Sequence, residues 1–193
     1  MMNTPTKKLI VAAGALVVLV LVSCGLTGCK WFGNSSGSSN NSTATDTNTA
    51  EIPGLPPDPG EAGKATLAGI ITNPKGVRDD IYRYIVINHQ DSEKTREALF
   101  QKARVWQDVL LDANDKAKSI NHAEKTLQAN ACLRYIRPQD ASVLIDSLIS
   151  MVVNTDARHK AYEVFDRQIG GQVFSSYDEL KTVCTFDPDS FPN

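Results

Sequence analysis

Hydrophobic and polar positions divide the 193-residue chain into three regions of different character. Residues 9–22 are wholly apolar or small, and residues 33–48 contain no apolar side chain larger than that of Ala. From about residue 77 onward, apolar residues recur three or four positions apart. An unbroken apolar run is typical of an export signal or a membrane segment, whereas helical spacing indicates amphipathic helices. We therefore expect a targeting segment, a linker and one folded domain.

The periodic region predicts five helices and no β-hairpin. The apolar stripes of these helices are led by Ile81 and Ile85, Leu99 and Trp106, Ile120 and Leu127, Leu144 and Leu148, and Val164 and Phe165. Asp91 or Ser92 can cap the second helix. The fourth helix is predicted to begin at Pro138, since proline is favoured in the first turn of a helix. A first helix is predicted over Val77–Ile87, and Gly170-Gly171 are expected to end the fifth. We predict an all-α bundle of about five helices with an irregular, disulfide-tied C-terminal tail.

Residues 1–29 carry the marks of a targeting segment. Lys7 and Lys8 precede the apolar run, which ends in small residues. The final four, Leu26-Thr27-Gly28-Cys29, resemble a bacterial lipobox: an aliphatic residue, a small residue, Gly or Ala, and then the cysteine that receives lipid. The resemblance implies that residues 1–28 are a signal peptide and that Cys29 is the lipidated N-terminus. A weaker match at Leu21–Cys24 competes, but it would leave a shorter apolar run and an unpaired thiol nearby.

An uncleaved membrane helix is the alternative reading of the same segment. The run to Leu26 is about 18 residues long, close to the ~20 that span a bilayer, and Lys30 and Trp31 could anchor it. Small residues crowd its far end and favour the signal peptide. In either case the remainder lies outside the cytoplasm. In lipoproteins, Asp after the lipidated cysteine favours the inner membrane, so Lys30 implies the outer membrane, with the domain facing the periplasm.

Residues 29–64 are predicted to be a disordered linker, and residues 65–193 the folded domain. The Ser/Asn/Thr-rich part cannot bury enough apolar surface to offset the entropy of ordering, and Ile52–Gly60 continues it with proline-rich extended character. As a coil of about 35 residues, the linker would reach roughly 30–35 Å.

Charge excludes a nucleic-acid partner and a polybasic membrane surface. The chain has 20 Lys and Arg against 22 Asp and Glu, and loss of the signal peptide leaves a net charge of about −4. Arg158-His159-Lys160, the densest basic cluster, is predicted to be a solvated helix face. Membrane attachment is therefore expected through the lipid anchor, and no cofactor is predicted.

Two cysteines, Cys132 and Cys184, remain in the mature chain besides the lipidated one. An isolated pair in an oxidising compartment predicts one disulfide. A disulfide that closes a loop of roughly 50 residues stabilises the fold by about 4 kcal/mol in the chain-entropy model.

The segment Gly69–Ile81 contains Asn73, Gly76 and Asp79 followed by a predicted helix. It resembles the start of small uncharacterised proteobacterial envelope proteins, which carry a Gly-x-Asp-x-Asn-x-Asn-Gly-Val-Arg-Asp-Asp loop similar to an EF-hand. The resemblance covers mainly residues 67–115 and implies no known activity. Oxygen ligands are needed at several loop positions, but Ile71 and Lys75 occupy two of them. We expect a degenerate loop that binds no metal, with Asp79 and Asp80 stabilising the helix start.

The three histidines, His89, His122 and His159, lie on different segments and lack zinc-site spacing. We expect each to be exposed or at a helix end. No glycine-framed nucleophile or phosphate loop is present in the sequence. The sequence therefore favours an outer-membrane lipoprotein whose non-catalytic domain binds an envelope protein. The alternative is a small envelope hydrolase or ligand-binding enzyme whose site forms only in three dimensions.

Overall fold

The computed structural model describes residues 52–177 and 180–192. The expected lipobox residues Leu26, Thr27, Gly28 and Cys29, the competing Cys24 and the linker up to residue 51 lie outside the described residues. Within the described part of the chain, no helix is both long and apolar enough to cross a membrane.

Five α-helices form the domain, as predicted. They are α1 (Asp79–Asn88), α2 (Glu93–Leu111), α3 (Lys116–Ile136), α4 (Ala141–Val152) and α5 (Asp156–Ile169). Short 3₁₀ turns occur at Gly60–Lys64, Leu180–Val183 and Pro188–Ser190, and residues 52–177 and 180–192 contain no strand. The all-α prediction is confirmed.

Side-chain caps define where three of the helices begin. Ser92 accepts a hydrogen bond from the Thr95 amide, Asp115 from Lys118, and Thr155 from Arg158. Each cap satisfies an amide that the first helical turn leaves without a partner. Of the two predicted caps for α2, Ser92 is the one used.

Two predicted helix starts are wrong. The fourth helix begins at Ala141 rather than at Pro138, because the amides of Asp140 and Ala141 both bond back to the Arg137 carbonyl and close a separate turn around the proline. The first helix begins at Asp79 rather than at Val77, since the Val77 carbonyl accepts a hydrogen bond from the Asn73 side chain.

Helix α2 lies at the centre of the bundle and packs against each of the other four helices. Most of its apolar side chains are almost completely buried, among them Leu99, Ala103, Trp106 and Val109. The partners across the core include Ile81 and Ile85 of α1, Leu133 of α3, Leu148 of α4 and Phe165 of α5. Removing this apolar surface from water is the main force that holds the five helices together.

The C-terminal tail is tied to the bundle by the predicted disulfide. Cys132 and Cys184 are bonded, with their Cα atoms 5.0 Å apart. Beside the disulfide, the Gln101 side chain donates to the Val183 carbonyl at 3.0 Å and accepts from the Thr185 amide at 2.9 Å. The tail is therefore held by a covalent bond and by backbone hydrogen bonds to α2.

Ordered contacts begin before Ala65, earlier than the predicted domain boundary. The Pro56 carbonyl accepts a hydrogen bond from Arg83 at 2.7 Å, and the Gly63 carbonyl accepts one from Arg158 at 2.7 Å. Backbone carbonyls, rather than an apolar face, attach this segment to the bundle. Hydrophobic periodicity reports only apolar faces and therefore places the boundary too late.

Candidate functional site

A groove of about 390 Å³ lies between α1 and the first half of α2. We call it the α1–α2 groove. Its lining comes from four parts of the chain: Tyr82, Val86 and Gln90 at α1, Glu93, Arg96, Glu97 and Phe100 on α2, Lys75 in the preceding loop, and Ile52 and Pro53 at the start of the described chain. Residues spaced by three or four positions share one helix face, so α2 presents its lining residues together.

The floor of the groove is aromatic. The Tyr82 and Phe100 rings are stacked, with centroids 5.2 Å apart and planes inclined by 18°. Phe100 is buried, whereas Tyr82 is half-buried and leaves part of its ring accessible. Val86, one turn after Tyr82, is also half-buried. The floor therefore offers apolar surface that the fold itself does not fully cover.

The charged side chains around the groove differ in whether they have hydrogen-bond or ion-pair partners. Lys75 Nζ lies 2.5 Å from a carboxylate oxygen of Glu97 and 5.8 Å from the centroid of the Phe100 ring. The Arg96 guanidinium donates to the carbonyls of His89 and Gln90 at the end of α1, at 2.8 and 3.1 Å. Glu93, half-buried at the start of α2, takes part in none of the ion pairs among the described residues. Its carboxylate is the groove charge left open to a ligand.

One wall of the groove is a proline turn. The Leu55 amide donates to the Ile52 carbonyl at 3.1 Å, and Gly54 has a φ of 79°. Pro at the second position and a left-handed Gly at the third are the marks of a type II turn. Just beyond it, Pro56 is buried, with its carbonyl bonded to Arg83. The wall is thus proline-containing backbone already seated on α1.

The three residues that fit the EF-hand-like pattern are brought together, but they bond to one another. Asp79 accepts hydrogen bonds from the Thr72 amide (2.9 Å), the Thr72 hydroxyl (2.8 Å) and the Asn73 side chain (2.7 Å). Burial acts to raise the pKa of the Asp79 carboxyl, but these hydrogen bonds outweigh it and leave the pKa below its ordinary value. Gly76 supplies the turn with a φ of 68°. The carboxylate that a cation would need is therefore occupied by protein donors.

Lys75, at a ligand position of that pattern, is directed into the α1–α2 groove instead. Its ammonium group pairs with Glu97 on α2, and its backbone carbonyl accepts from Arg104 at 3.3 Å. The loop thus supplies the groove with a cation in place of a metal ligand.

Next to this loop lies a polar cluster of two buried arginines, Arg78 and Arg158, with Asp80 and Asn154, which we call the arginine cluster. Both guanidinium groups have no solvent exposure. Arg78 binds both carboxylate oxygens of Asp80, at 2.9 and 2.7 Å, and donates to the carbonyls of Met151 and Val152 at the end of α4. It thereby caps the C-terminus of that helix.

Arg158 connects α5 to the N-terminal segment. It donates to Asn154 at 2.7 Å, and to three backbone carbonyls, those of Gly63 (2.7 Å), Thr66 (2.8 Å) and Leu67 (3.3 Å). Burial, and then the charge of Arg78, lower the pKa of Arg158. The predicted solvated face at residues 158–160 is therefore wrong at its first position, because those carbonyls need a donor.

Gly69 makes room for the arginine cluster. A Cβ atom there would lie 2.8 Å from the Arg78 side chain, and the residue has a φ of 64°. Both the close approach and the left-handed backbone exclude larger residues.

Lys102 is a third buried cation, on the face of α2 directed toward α3. It has no solvent exposure, and its Nζ donates to Asn130 at 2.6 Å and lies 5.4 Å from the centroid of the Trp106 ring. Burial, and then the charge of Arg134, lower the pKa of Lys102 to about 7. No sequence pattern indicated that Lys102 is buried, since a lysine within a helix is normally solvated.

The histidines differ from the prediction at one position. His159 is exposed, and His89 is the C-cap of α1, although it is buried. His122 is buried in the first half of α3, away from either helix end, where its Nε2 lies 3.0 Å from Asp112. Asp112 also pairs with Lys118 at 2.8 Å, so the carboxylate holds the α2–α3 turn closed.

The His122–Asp112 pair lacks the other parts of a hydrolytic site. Ser119, one turn earlier on α3, donates to the Ala113 carbonyl at 3.4 Å. The hydroxyl is thus directed at backbone rather than at the imidazole, and a base must hydrogen-bond its nucleophile to activate it. No group of three or more His, Cys, Asp or Glu residues suited to a metal ion occurs within the described residues.

Comparisons with protein-family models, with curated proteins and with solved structures find no match for this chain. The groove residues Tyr82, Glu93 and Phe100 were missed by the sequence patterns. A weak signal existed in Phe100, which flanks the apolar stripe of α2 without belonging to it.

Proposed function

We propose that this chain is an outer-membrane lipoprotein, anchored through Cys29, whose helical domain binds an envelope protein partner in the α1–α2 groove. Binding rather than catalysis is the activity proposed. The observation that carries the proposal is the contrast within the groove: an accessible aromatic floor lies beside a glutamate without an ion-pair partner. Accessible aromatic surface next to a polar rim is typical of protein-binding sites.

The anchor is supported by the lipobox, and the position of the groove agrees with it. Ile52 lines the groove, and the residues between Cys29 and Ile52 are the tether in this proposal. A partner held in the groove would therefore be held close to the point where the tether joins the domain. The partner is accordingly expected among proteins of the periplasmic face of the outer membrane or of the cell wall, and not among nucleic acids.

Lipidation is tested by metabolic labelling with a fatty-acid analogue. The wild-type chain should be labelled, and Cys29→Ser should abolish the label while Cys24→Ser retains it. If Cys24→Ser loses the label and Cys29→Ser keeps it, the anchor has been assigned to the wrong cysteine.

Partner binding is tested by placing a photo-crosslinking amino acid at Gln90, which is exposed and lines the groove. The matched control position is Val143, which is 65% exposed on α4. In intact cells, a discrete crosslinked species should form from Gln90 and not from Val143. Adducts of equal yield from both positions, or from Val143 alone, would contradict the proposal.

A further inference from the structure

We infer that the α1–α2 groove accepts an extended peptide segment in which a prolyl or aliphatic residue stands next to a lysine or arginine. This inference rests on the proposed function, because it names the partner chemistry of the same groove.

The preference for a prolyl or aliphatic residue follows from the floor and from the wall. The accessible part of Tyr82 lies beside the buried Phe100 ring, with Val86 one turn further along α1. Aromatic-lined grooves bind proline-rich extended segments, because such segments lose little entropy on binding. The chain's own proline-containing Ile52–Pro56 segment already lies beside this groove: Ile52 and Pro53 line it, and the Pro56 carbonyl accepts a hydrogen bond from Arg83 of α1.

The preference for a basic residue follows from the charges. Lys75 and Glu97 neutralise each other at 2.5 Å, and Arg96 is directed at the carbonyls at the end of α1. Glu93 remains, and a cationic side chain in the groove would complete its ion pair. A bound acidic residue would instead meet the Glu93 carboxylate. The Arg96 guanidinium is in none of the ion pairs among the described residues either, but it already donates to two carbonyls, whereas Glu93 would gain its first charged partner from a bound cation.

Two other occupants fit less well. Residues 33–51 of this chain contain no Lys or Arg and include Asp46 and Glu51, so the linker does not match the open charge. A folded second copy would present a broad face, whereas 390 Å³ lies in the range of about 300–1,000 Å³ that is typical of small-ligand pockets. A short segment of another protein is the occupant that satisfies both size and charge.

The test uses the full-length lipoprotein in detergent and four synthetic ten-residue peptides of one parent sequence. The parent carries Pro-Leu-Pro-Arg at its centre, the second replaces Arg with Glu, the third replaces the three apolar residues with Ser, and the fourth carries both changes. Isothermal titration should show that the parent binds best, with at least tenfold loss for each single change. Equal affinity for the Arg and Glu peptides would overturn the charge preference, and equal affinity for the parent and Ser peptides would overturn the preference for prolyl or aliphatic residues.

A charge reversal in the protein provides the second arm. Glu93→Lys should reverse the preference, so that the Glu peptide binds better than the Arg peptide, and Glu93→Gln should remove the preference without reversing it. The control is Glu124→Lys, the same change at an exposed position of α3 outside the groove lining. It should leave all four affinities as in the wild type. Because Glu93 also favours the start of α2, the neutral variant keeps the test valid if the reversed one is poorly folded.

The outcomes separate this inference from the proposed function. If Gln90 crosslinks a partner in cells but the peptides are not discriminated, the chemistry is wrong and the binding function stands. If the peptides are discriminated but Gln90 captures nothing, the chemistry stands and the proposed function fails. If light scattering shows that the wild type dimerises and that Glu93→Lys abolishes the dimer, the occupant is a second copy and the inference is overturned.

Discussion

The segment 69–80 contributes charged residues to two regions with opposite properties, the arginine cluster and the α1–α2 groove. In the cluster, Arg78 and Arg158 are fully buried and donate to carboxylate, amide and carbonyl oxygens on every side. In the groove, the side chain of Lys75 remains 37% exposed, and Glu93 forms none of the ion pairs among the described residues. A buried charged group whose hydrogen-bond partners all come from the protein stabilises the fold. An accessible charged group without an ion-pair partner is able to bind another molecule.

The comparison also explains why guanidinium groups occupy the cluster. Each guanidinium carries five N–H donors in a fixed plane, so one side chain can serve several carbonyls at once. Arg158 does this for three carbonyls of the N-terminal segment. Lys102, by contrast, reaches one amide oxygen and an aromatic face, and its pKa falls to about 7.

The largest effect is expected for Arg158→Ala. The change leaves three carbonyls of the N-terminal segment, the buried one of Gly63 among them, without this donor. At about 1–3 kcal/mol for each group left unsatisfied, it should cost about 3–5 kcal/mol of unfolding free energy. Urea denaturation measures it, and His159→Ala, at the neighbouring exposed position, should change stability by less than about 0.5 kcal/mol. Similar losses for the two variants would show that the arginine cluster does not support the fold.

Removal of the disulfide should be nearly as costly. Cys132 and Cys184 are separated by 52 positions, and the double change to Ser should lower the free energy of unfolding by about 4 kcal/mol. Non-reducing peptide mapping of protein from the periplasm should find the two cysteines linked. Recovery of both as free thiols would contradict this.

The buried Lys102 should make the free energy of unfolding increase with pH. A lysine in a favourable ion pair would have the opposite effect. Its pKa is about 7 in the folded chain and 10.5 in an unperturbed lysine. Between these values the unfolded chain holds the proton and the folded chain does not, so stability rises with pH from about 7 and levels off above about 10.5. At 1.36 kcal/mol per pKa unit the total change is about 5 kcal/mol, of which about 3 kcal/mol falls between pH 7 and pH 9.

Lys102→Met isolates that contribution. The variant should be more stable than the wild type at pH 6 and should lose the rise above pH 7, because no amine has to be buried. Urea denaturation of both proteins between pH 6 and pH 9 measures the difference. Parallel curves would show that Lys102 titrates normally.

The smallest expected effect is that of calcium. Asp79 already accepts three hydrogen bonds from Thr72 and Asn73, and useful calcium affinity requires several free oxygen ligands. Millimolar Ca²⁺ should therefore leave the melting temperature unchanged. A saturable rise of several degrees, lost in Asp79→Ala, would reveal a working metal site.

The sequence predicted the parts of the fold that depend on apolar periodicity and on cysteine pairing. Leu99, Trp106 and Leu148 recur at helical spacing, and they are buried where the pattern places them. Cys132 and Cys184 form the disulfide that was predicted for this pair. Helical spacing is a local pattern, and the disulfide follows from counting the cysteines. One sequence therefore suffices to detect both.

The arginine cluster, Lys102 and the groove could not be predicted in the same way. Arg158 lies in a basic run that looks like a solvated face, and its burial depends on carbonyls more than 90 positions away. Tyr82 and Phe100 meet only because α1 and α2 pack together. Contacts of this kind depend on tertiary packing, which leaves no periodic trace in the sequence.

The most direct measurement combines the two variants that distinguish the groove from the rest of the surface. Crosslinking from Gln90 is repeated in cells in the Glu93→Lys and Glu124→Lys backgrounds, after thermal melts have shown that both proteins remain folded. Loss of the crosslinked species in Glu93→Lys, with full yield in Glu124→Lys, is the result expected if the α1–α2 groove binds the partner through Glu93. Undiminished crosslinking in Glu93→Lys would contradict that claim.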